Sequence, residues 1–208
     1  MYSPKFNQVV NRAILIEAMR AYSFAILIGP QSTPDAPAPL VATHLPLVVQ
    51  DEGPHGLIEG HFAKANRHWQ ALARRETLVV FPGPHSYVSP SFYTDPLSVP
   101  TWNYITVHAY GTMELVEDEA GKETLLKGLI QANEPAFAEQ WNEMPEGFRR
   151  TMLAGIQGFR IPIARIEGKF KISQNRAPEE RRNVKSAHAA GTPDQQELAA
   201  WMGRLIGE

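Results

Sequence analysis

The sequence WNYITVHAYGTMELV, residues 102–116, contains the longest strand pattern of the chain. Small or apolar side chains alternate along it with polar or aromatic ones, which is the two-residue period of a strand that buries one face. The side chains predicted on one face are Ile105, Val107, Ala109 and Gly111, and those predicted on the other are Thr106, His108 and Tyr110. The centre of the fold is therefore predicted to be a β-sheet.

Shorter strand patterns flank this segment, and helical patterns lie towards the two ends of the chain. The predicted strands cover residues 22–29, 40–49, 56–62, 77–81, 87–93 and 159–173, with a break at 82–86 and a turn at Glu167–Gly168. The predicted helices cover residues 7–21, 119–133, 145–157, 178–191 and 193–207, with a short helix or turn at 63–75 and a proline-rich loop at 29–39. Pro46 predicts an edge position or a bulge, since proline cannot donate to the ladder. Short turns rather than helical crossovers join the strands, which favours a mainly β, antiparallel barrel with peripheral helices at the N-terminus and in the C-terminal third.

Composition excludes several classes of protein. The 208 residues are 43% hydrophobic and 20% charged, and the formal net charge is -2, so no global charge favours nucleic acid or anionic lipid. The absence of cysteine excludes disulfides, thiolate nucleophiles and iron–sulfur clusters, and it predicts a cytoplasmic protein. The first residues do not resemble a signal peptide, and the apolar runs are too short to span a bilayer.

The common catalytic and nucleotide-binding motifs are also absent. No GxxxxGK[ST], GxGxxG or GxSxG pattern occurs, so a phosphate loop, a dinucleotide fingerprint and a nucleophile elbow are unsupported. The histidines lack the spacing of a metal site, and we predict no metal ligands. No residue is assigned a catalytic role, and whether the protein is an enzyme stays open at this point.

The residue types that suit a bound ligand are concentrated between residues 60 and 104. This stretch combines aromatic rings, histidines, small hydroxyls and one lysine with glycine and proline. GHFAKAN, residues 60–66, leaves a strand and enters a turn, where free backbone N–H groups and Lys64 suit a phosphate. Tyr87 and Ser89 offer hydroxyls, while Trp102 and Tyr104 offer a wall for a flat ring. These residue types together indicate a flavin-like ligand.

The same segments carry a resemblance to a known family. MYSPKF at the start, ATHLPL (42–47), GHFAKAN (60–66), HW (68–69), FPGPHSYVSPSFY (81–93), VPTWNY (99–104) and KISQNR (171–176) resemble the PaiB family of FMN-binding negative transcriptional regulators. The resemblance runs from residue 2 to about 176. Lys64 and Arg67 stand where Arg and Pro are expected, and Lys in place of Arg keeps the charge but loses the bidentate fork.

The resemblance implies an FMN cofactor, a split barrel of the pyridoxamine-phosphate-oxidase type, and a homodimer with flavin at the subunit interface. It further implies four groups of cofactor-binding residues. These are Thr43, His44 and Leu45 near the ring; Gly60, His61, Lys64 and Asn66 near the phosphate and ribityl chain; Tyr87, Ser89, Trp102 and Asn103, from the same or the second subunit; and Ser173, Gln174 and Asn175 over the ring. The implied division is an FMN-binding domain over residues 1–176, including the helices within 119–157, with a helical extension over 177–208.

Three functions remain open from the sequence. The first is the FMN-binding negative transcriptional regulator, although DNA contact rests on the family alone because the basic residues of helix 178–188 are offset by Glu179 and Glu180. The second is an FMN-dependent oxidoreductase acting on a small molecule, in which the flavin supplies the chemistry. The third is a haem-binding or haem-degrading split barrel, with an exposed histidine as axial ligand.

Overall fold

The computed structural model of the chain describes residues 1–30 and 40–206, so most of the loop predicted at 29–39 lies outside the described residues. The strands are β1 (Gln8–Val9), β2 (Phe24–Pro30), β3 (Leu40–Pro46), β4 (Val48–Gln50), β5 (Leu57–Ala63), β6 (Glu76–Val88), β7 (Thr101–Thr112), β8 (Glu114–Val116) and β9 (Ile156–Lys171). The helices are α1 (Arg12–Ala21), α2 (His68–Leu72), α3 (Glu119–Asn133), α4 (Phe137–Glu143), α5 (Glu146–Ala154), α6 (Pro178–Ala189) and α7 (Pro193–Ile206). None of these helices is long and apolar enough to cross a membrane.

The described strands form one mainly antiparallel sheet in the order β3-β2-β6-β7-β9-β5-β4, with β1 and β8 also paired to β9. Buried and half-buried positions alternate along β7, which confirms the two faces predicted from its sequence. By contacts, the chain divides into two compact units, and β6, β7 and β9 each have residues in both. The first unit comprises Met1–Leu15, Pro82–Val107 and Glu167–Glu208, and the second comprises Ile16–Phe81 and His108–Ile166.

Each unit has its own core. In the second unit, side chains from several strands are fully buried, and the rings of Phe62 and Phe159 lie 5.1 Å apart. In the first unit, Phe170 of β9 packs edge-on against Trp201 of α7 at 5.2 Å, so the C-terminal helices belong to this core. The division of the chain at residue 176 remains a prediction.

The N-terminal helix is shorter than predicted and begins at Arg12 because Asn11 caps it. Asn11 Oδ1 accepts from the amides of Ala13 (3.0 Å) and Ile14 (3.3 Å), which fixes the first turn. The preceding residues instead form a 3-10 turn at Lys5–Asn7 and the short strand β1.

The predicted break at 82–86 and the predicted turn at Glu167–Gly168 were both wrong. Strand β6 runs through Pro82 and Pro84, because the φ angle of proline suits extended backbone and each ring removes only its own donor. Strand β9 runs through Gly168, which pairs with Val9 and lies so close to Leu15 that a larger residue would collide. Gly168 therefore permits close packing rather than a turn.

Helix α4 was not predicted, because its seven residues are too few to show a helical period. Trp141 is its buried anchor. Helices α3, α6 and α7 lie where predicted, with Asp118 capping α3 through the amide of Gly121 at 2.7 Å.

Candidate functional site

Three polar residues of the second unit form a hydrogen-bonded set at strand β3. Thr43 Oγ1 lies 2.8 Å from His68 Nδ1, and Asn66 Nδ2 donates to the same threonine oxygen at 3.5 Å. Asn66 Oδ1 accepts from the backbone amide of His68 at 3.1 Å. Because Asn66 donates to Thr43, the threonine hydroxyl can donate its own proton to His68. The structure thus brings two predicted site residues, Thr43 and Asn66, together with His68.

Strand β3 offers both side chains and backbone groups to its surroundings. None of its seven residues is buried, and in the sheet order of the described strands β2 is its one neighbour. Thr43 and Leu45 share the half-buried face, whereas His44 lies on the exposed face and stacks on Phe24 at 6.1 Å. An edge of this kind presents the backbone N–H and C=O groups that a flat polar ring requires. His44 can therefore reach a ligand on the Thr43 face through its backbone only.

The turn after β5 is fixed by backbone hydrogen bonds. The Lys64 amide donates to the Gly155 carbonyl at 2.8 Å, and Trp69 Nε1 donates to the Lys64 carbonyl at 3.2 Å. Within residues 1–30 and 40–206, the Lys64 ammonium has no hydrogen-bond or ion-pair partner. Lys64 lines a pocket of about 220 Å³ to which Lys122 and Arg150 also contribute. This charge suits the phosphate contact predicted for Lys64.

Burial favours the neutral form of two histidines of the second unit. Burial lowers the pKa of His61 below its ordinary value, and in the described chain its buried Nδ1 has no hydrogen-bond partner. Burial also lowers the pKa of His68, although the Gly29 carbonyl opposes this shift. Phe62 packs edge-on against the His68 ring at 6.3 Å. Neutral rings can both donate and accept hydrogen bonds to a polar ligand.

Gly60 has a packing role that its motif did not reveal. A side chain at this position would meet Leu47 Cδ2 at 2.7 Å and Phe159 Cζ at 3.0 Å. Glycine is needed here because β5 lies tightly against these two side chains. A contact of Gly60 with the cofactor would have to be made by its backbone.

In the first unit, Asn103 and Ser173 form a buried pair. Asn103 Nδ2 donates to Ser173 Oγ at 3.0 Å, and Ser173 Oγ lies 3.2 Å from Asn103 Oδ1. Ser173 has a φ of 68°, which is uncommon for residues other than glycine. Both residues line a pocket of about 150 Å³ together with Asn175, Lys171 and Arg176. Three predicted site residues, Asn103, Ser173 and Asn175, are therefore neighbours.

Two cations give this smaller pocket a positive character. Lys171 donates to Thr101 Oγ1 and to the Trp102 carbonyl, the latter at 2.6 Å. Its pKa is lowered by burial and, to a smaller degree, by the charges of Lys169 and Arg176. The Arg176 guanidinium lies 3.7 Å from the centre of the Tyr93 ring.

The remaining predicted residues of the first unit do not line this pocket. Gln174 folds back, accepting from the Ile172 amide at 2.8 Å and donating to the Phe170 carbonyl. Ser89 caps a 3-10 turn by accepting from the Ser91 amide at 3.2 Å. Tyr87 and Trp102 lie edge-on at 6.1 Å and are about half exposed, at 48% and 53%. They form an exposed aromatic pair that a larger ligand or a second subunit can cover.

Sequence reasoning missed several residues that the structure adds to these two regions. They are His68, Lys122 and Arg150 in the second unit, and Tyr93, Lys171 and Arg176 in the first. His68 had a signal, because it follows the GHFAKAN segment directly. Lys122 and Arg150 had none, since they belong to ordinary amphipathic helices. In the described ranges 1–30 and 40–206, no group of three His, Asp or Glu residues is placed to hold a metal ion.

The buried histidines predict that the protein loses stability in mild acid. His188 of α6 is fully buried, neither ring nitrogen has a partner among the described residues, and burial lowers its pKa. Below pH 6.5 the His188 ring is protonated in the unfolded chain but stays neutral in the folded protein, because its pKa there is lower. The free energy of unfolding therefore falls as pH decreases. We expect His188→Met to flatten the decrease measured by urea unfolding between pH 7.5 and pH 5.

A matched control for this pH dependence is His55→Met, in the turn between β4 and β5. This variant is expected to keep the pH dependence of the parent protein. Parallel pH profiles for the parent and His188→Met would contradict the assignment of the effect to His188.

Comparison with known proteins identifies the family. Residues 1–165 match the family described as "Putative FMN-binding domain". The chain is also 35% identical over 189 residues to the protease synthase and sporulation protein PAI 2 of Bacillus subtilis, covering 88% of this chain and 87% of that protein. The chain belongs to the PaiB family of FMN-binding domains. The resemblance seen in the motifs is confirmed, and so is FMN as the cofactor of this PaiB-type protein.

Solved structures support the fold. The FAD and heme binding protein of Mycobacterium smegmatis aligns with a TM-score of 0.61 at 15% identity, covering 89% of this chain and 81% of that one. The flavocytochrome Anf3 of Azotobacter vinelandii aligns with a TM-score of 0.60 at 15% identity, covering 79% and 69%. The predicted antiparallel split-barrel fold of this PaiB-family chain is confirmed, although at this identity the likeness extends to the fold alone.

The residues of this PaiB-family chain fit an FMN group. The orphaned Nδ1 of His61 and the free ammonium of Lys64 lack partners in the described chain, and both are groups that FMN oxygens can satisfy. Thr43 and Asn66 would bind and orient the polar part of the cofactor. When bound, the flavin supplies hydride or electron transfer.

Proposed function

We propose that this protein is an FMN-dependent negative transcriptional regulator that works as a cytoplasmic homodimer. The observation that carries the proposal is the Thr43–Asn66–His68 set on an unburied edge strand, in a chain of the PaiB family. The set holds the Thr43 hydroxyl and the exposed Asn66 amide in fixed orientations, where a polar ligand can bind them. The absence of cysteine supports the cytoplasmic location.

In this proposal, the two groups of residues in the second unit hold different parts of FMN. The backbone of Thr43–Leu45 pairs with the polar edge of the ring, and His44 contributes only its backbone. His61, Lys64 and Asn66, with the backbone of Gly60, hold the ribityl phosphate end. The exposed Lys64 ammonium and the half-buried His61 ring support this assignment.

The predicted residues of the first unit also contact FMN in this proposal, and the exposed aromatic pair lies at the dimer interface. Tyr87 and Trp102 are hydrophobic, about half exposed and in mutual contact, which is typical of residues that a second subunit covers. Asn103, Ser173 and Asn175 line one pocket, and in this proposal their polar groups bind the flavin. Ser89 and Gln174 contribute through their backbone, since their side chains are already engaged.

Regulation in this proposal acts through a partner molecule rather than through a basic DNA-reading helix. Arg181, Arg182 and Lys185 of α6 each have an interaction partner within the chain. Glu180 on the same helix is buried and accepts from the Thr94 amide at 3.2 Å. A helix whose cations are already engaged is poorly suited to bind phosphates of DNA.

The proposal predicts that FMN binding depends on the Thr43 hydroxyl. Purified protein should bind FMN with a shift of the flavin absorption bands, and Thr43→Val should raise the FMN dissociation constant about tenfold, equivalent to the loss of one good hydrogen bond. Thr112→Val, at an exposed position of β7, is the matched control and should leave the constant unchanged. Light scattering after gel filtration should give twice the monomer mass.

The regulatory part is tested by complementation. Transcripts that rise when the gene is deleted should fall again with the parent gene, and should stay high with Thr43→Val. Equal repression by both would show that FMN is not needed for regulation. Rapid anaerobic bleaching of the bound flavin by NADH would instead favour the oxidoreductase.

A further inference from the structure

A pocket of about 220 Å³ in the second unit is lined by residues from four places in the chain. Lys64 comes from the turn after β5, and Glu117 from the connection between β8 and α3. Glu119 and Lys122 come from the first turn of α3, and Arg150, Leu153 and Ala154 from α5. Three cations and two carboxylates thus face one space. Of these residues, only Lys64 was predicted from the sequence to contact a phosphate.

Lys122 is largely covered by protein, yet its ammonium has no partner within the described residues. The residue is 7% exposed, and within residues 1–30 and 40–206 its ammonium makes no hydrogen bond or ion pair. Its backbone amide donates to the Asp118 carbonyl at 3.1 Å, which fixes the first turn of α3. The aliphatic stem is the covered part of the side chain, because Lys122 Nζ is not among the buried unpartnered atoms of the described residues and the residue lines the pocket. An anion in the pocket would provide the missing partner.

The other charges around the pocket differ in how far they are already neutralised. Arg150 is engaged by Glu146 at 2.6 Å and by Glu119 at 3.6 Å. Lys64 and Lys122 are both unpaired in the described chain, and Glu117 has no described partner either. The two free ammonium groups therefore outnumber the one free carboxylate. The pocket is left with a net positive charge for a ligand.

We propose that Lys122 and Lys64 bind a phosphate group in this pocket, with Arg150 available as a third donor. The proposal rests on the proposed function for one of its two sources, the phosphate of FMN, and the other source is free inorganic phosphate. Two lysines lining one pocket suit a phosphate dianion, which accepts several charge-assisted hydrogen bonds. Glu117 opposes the anion and weakens its binding.

The test compares the dissociation constants of FMN and of riboflavin, which lacks only the phosphate. Binding of inorganic phosphate is measured separately by the line width of its phosphorus NMR signal. Lys122→Gln is expected to weaken phosphate binding about tenfold, because it removes one charge-assisted contact. Glu117→Gln is expected to strengthen it about threefold by removing a like charge. Lys127→Gln is the matched control on the same helix, since Lys127 pairs with Glu123 at 3.0 Å outside the pocket.

The outcomes separate this inference from the proposed function. If Lys122→Gln weakens FMN but not riboflavin, the pocket holds the phosphate of the cofactor. If it leaves both flavins unchanged but abolishes the phosphate signal, the pocket holds free phosphate. If neither FMN nor inorganic phosphate responds to Lys122→Gln or Glu117→Gln, the phosphate site is refuted, and FMN binding by the parent stands. If the parent binds no flavin, the proposed function fails, and the NMR signal alone decides this site.

Folding of the variants is checked by circular dichroism and by the urea midpoint. Lys64→Gln is a second variant at an exposed position, where loss of charge does not disturb packing. It should weaken phosphate binding in the same direction as Lys122→Gln. An unchanged dissociation constant for phosphate in a folded Lys64→Gln protein would also overturn the proposal.

Discussion

Changing Gly111 to alanine is expected to lower the free energy of unfolding by about 3 kcal/mol. Gly111 is a buried residue of β7, and a methyl group there would overlap the carbonyl oxygen of Pro162 and lie 2.7 Å from Ile161 Cγ2. Both neighbours belong to β9, so the obstacle includes backbone that the sheet holds in place. A flexible side chain could move aside, but a paired strand cannot. Urea unfolding followed by tryptophan fluorescence measures the change.

The control for Gly111→Ala is the same substitution at Gly128, inside α3. A methyl group at Gly128 meets nothing within 4 Å. Because alanine favours the helix more than glycine does, Gly128→Ala should raise stability by up to about 1 kcal/mol. If both substitutions changed the free energy of unfolding equally, the close approach of β9 would not be the reason that residue 111 is glycine.

Changing Phe62 to alanine is expected to cost about 3–5 kcal/mol and to weaken FMN binding as well. The Phe62 ring is fully buried and contacts both Phe159, at 5.1 Å, and the edge of His68, at 6.3 Å. Its removal leaves a cavity directly behind the histidine that holds Thr43. The stability loss is measured by urea unfolding, and the binding loss by flavin titration under conditions where the variant remains folded.

Phe148→Ala is the matched control for Phe62. Phe148 is 49% exposed on α5, so its removal should change stability by no more than about 0.5 kcal/mol. If Phe62→Ala lost stability but kept the parent affinity for FMN, the coupling between the core and the Thr43–Asn66–His68 set would be contradicted.

Local signals in the sequence predicted the helices better than the strand boundaries. Asp118 before α3, and the prolines that open α6 and α7, act within one turn of the helix they start, so their effect can be read directly. Pro82, Pro84 and Gly168 have the same residue types as turn signals, yet they lie inside strands. Long-range pairing decided their conformation, and the sequence does not display that pairing.

In the candidate site, too, local motifs were predicted from the sequence, whereas contacts between distant segments were not. Residue types in the GHFAKAN and THLPL segments predicted a polar set for a flavin, and the structure joins Thr43 and Asn66. The third member, His68, was noticed as part of a motif but not as a partner of Thr43. Lys122 comes from a helix far along the chain, and only folding brings it to the pocket of Lys64. Helical periodicity assigns such a lysine to a solvated face, so its burial could not be foreseen.

Strand β9 determines when this protein can fold during synthesis. Residues 156–171 pair with β1, β5 and β8, which are all made earlier, and β1 lies at the opposite end of the chain. Until β9 leaves the ribosome, these earlier strands have unmet hydrogen-bonding edges, and contacts of such large sequence separation form slowly. A nascent chain stalled before residue 156 therefore exposes several strand edges at once, which is the condition that chaperones recognise and that promotes aggregation.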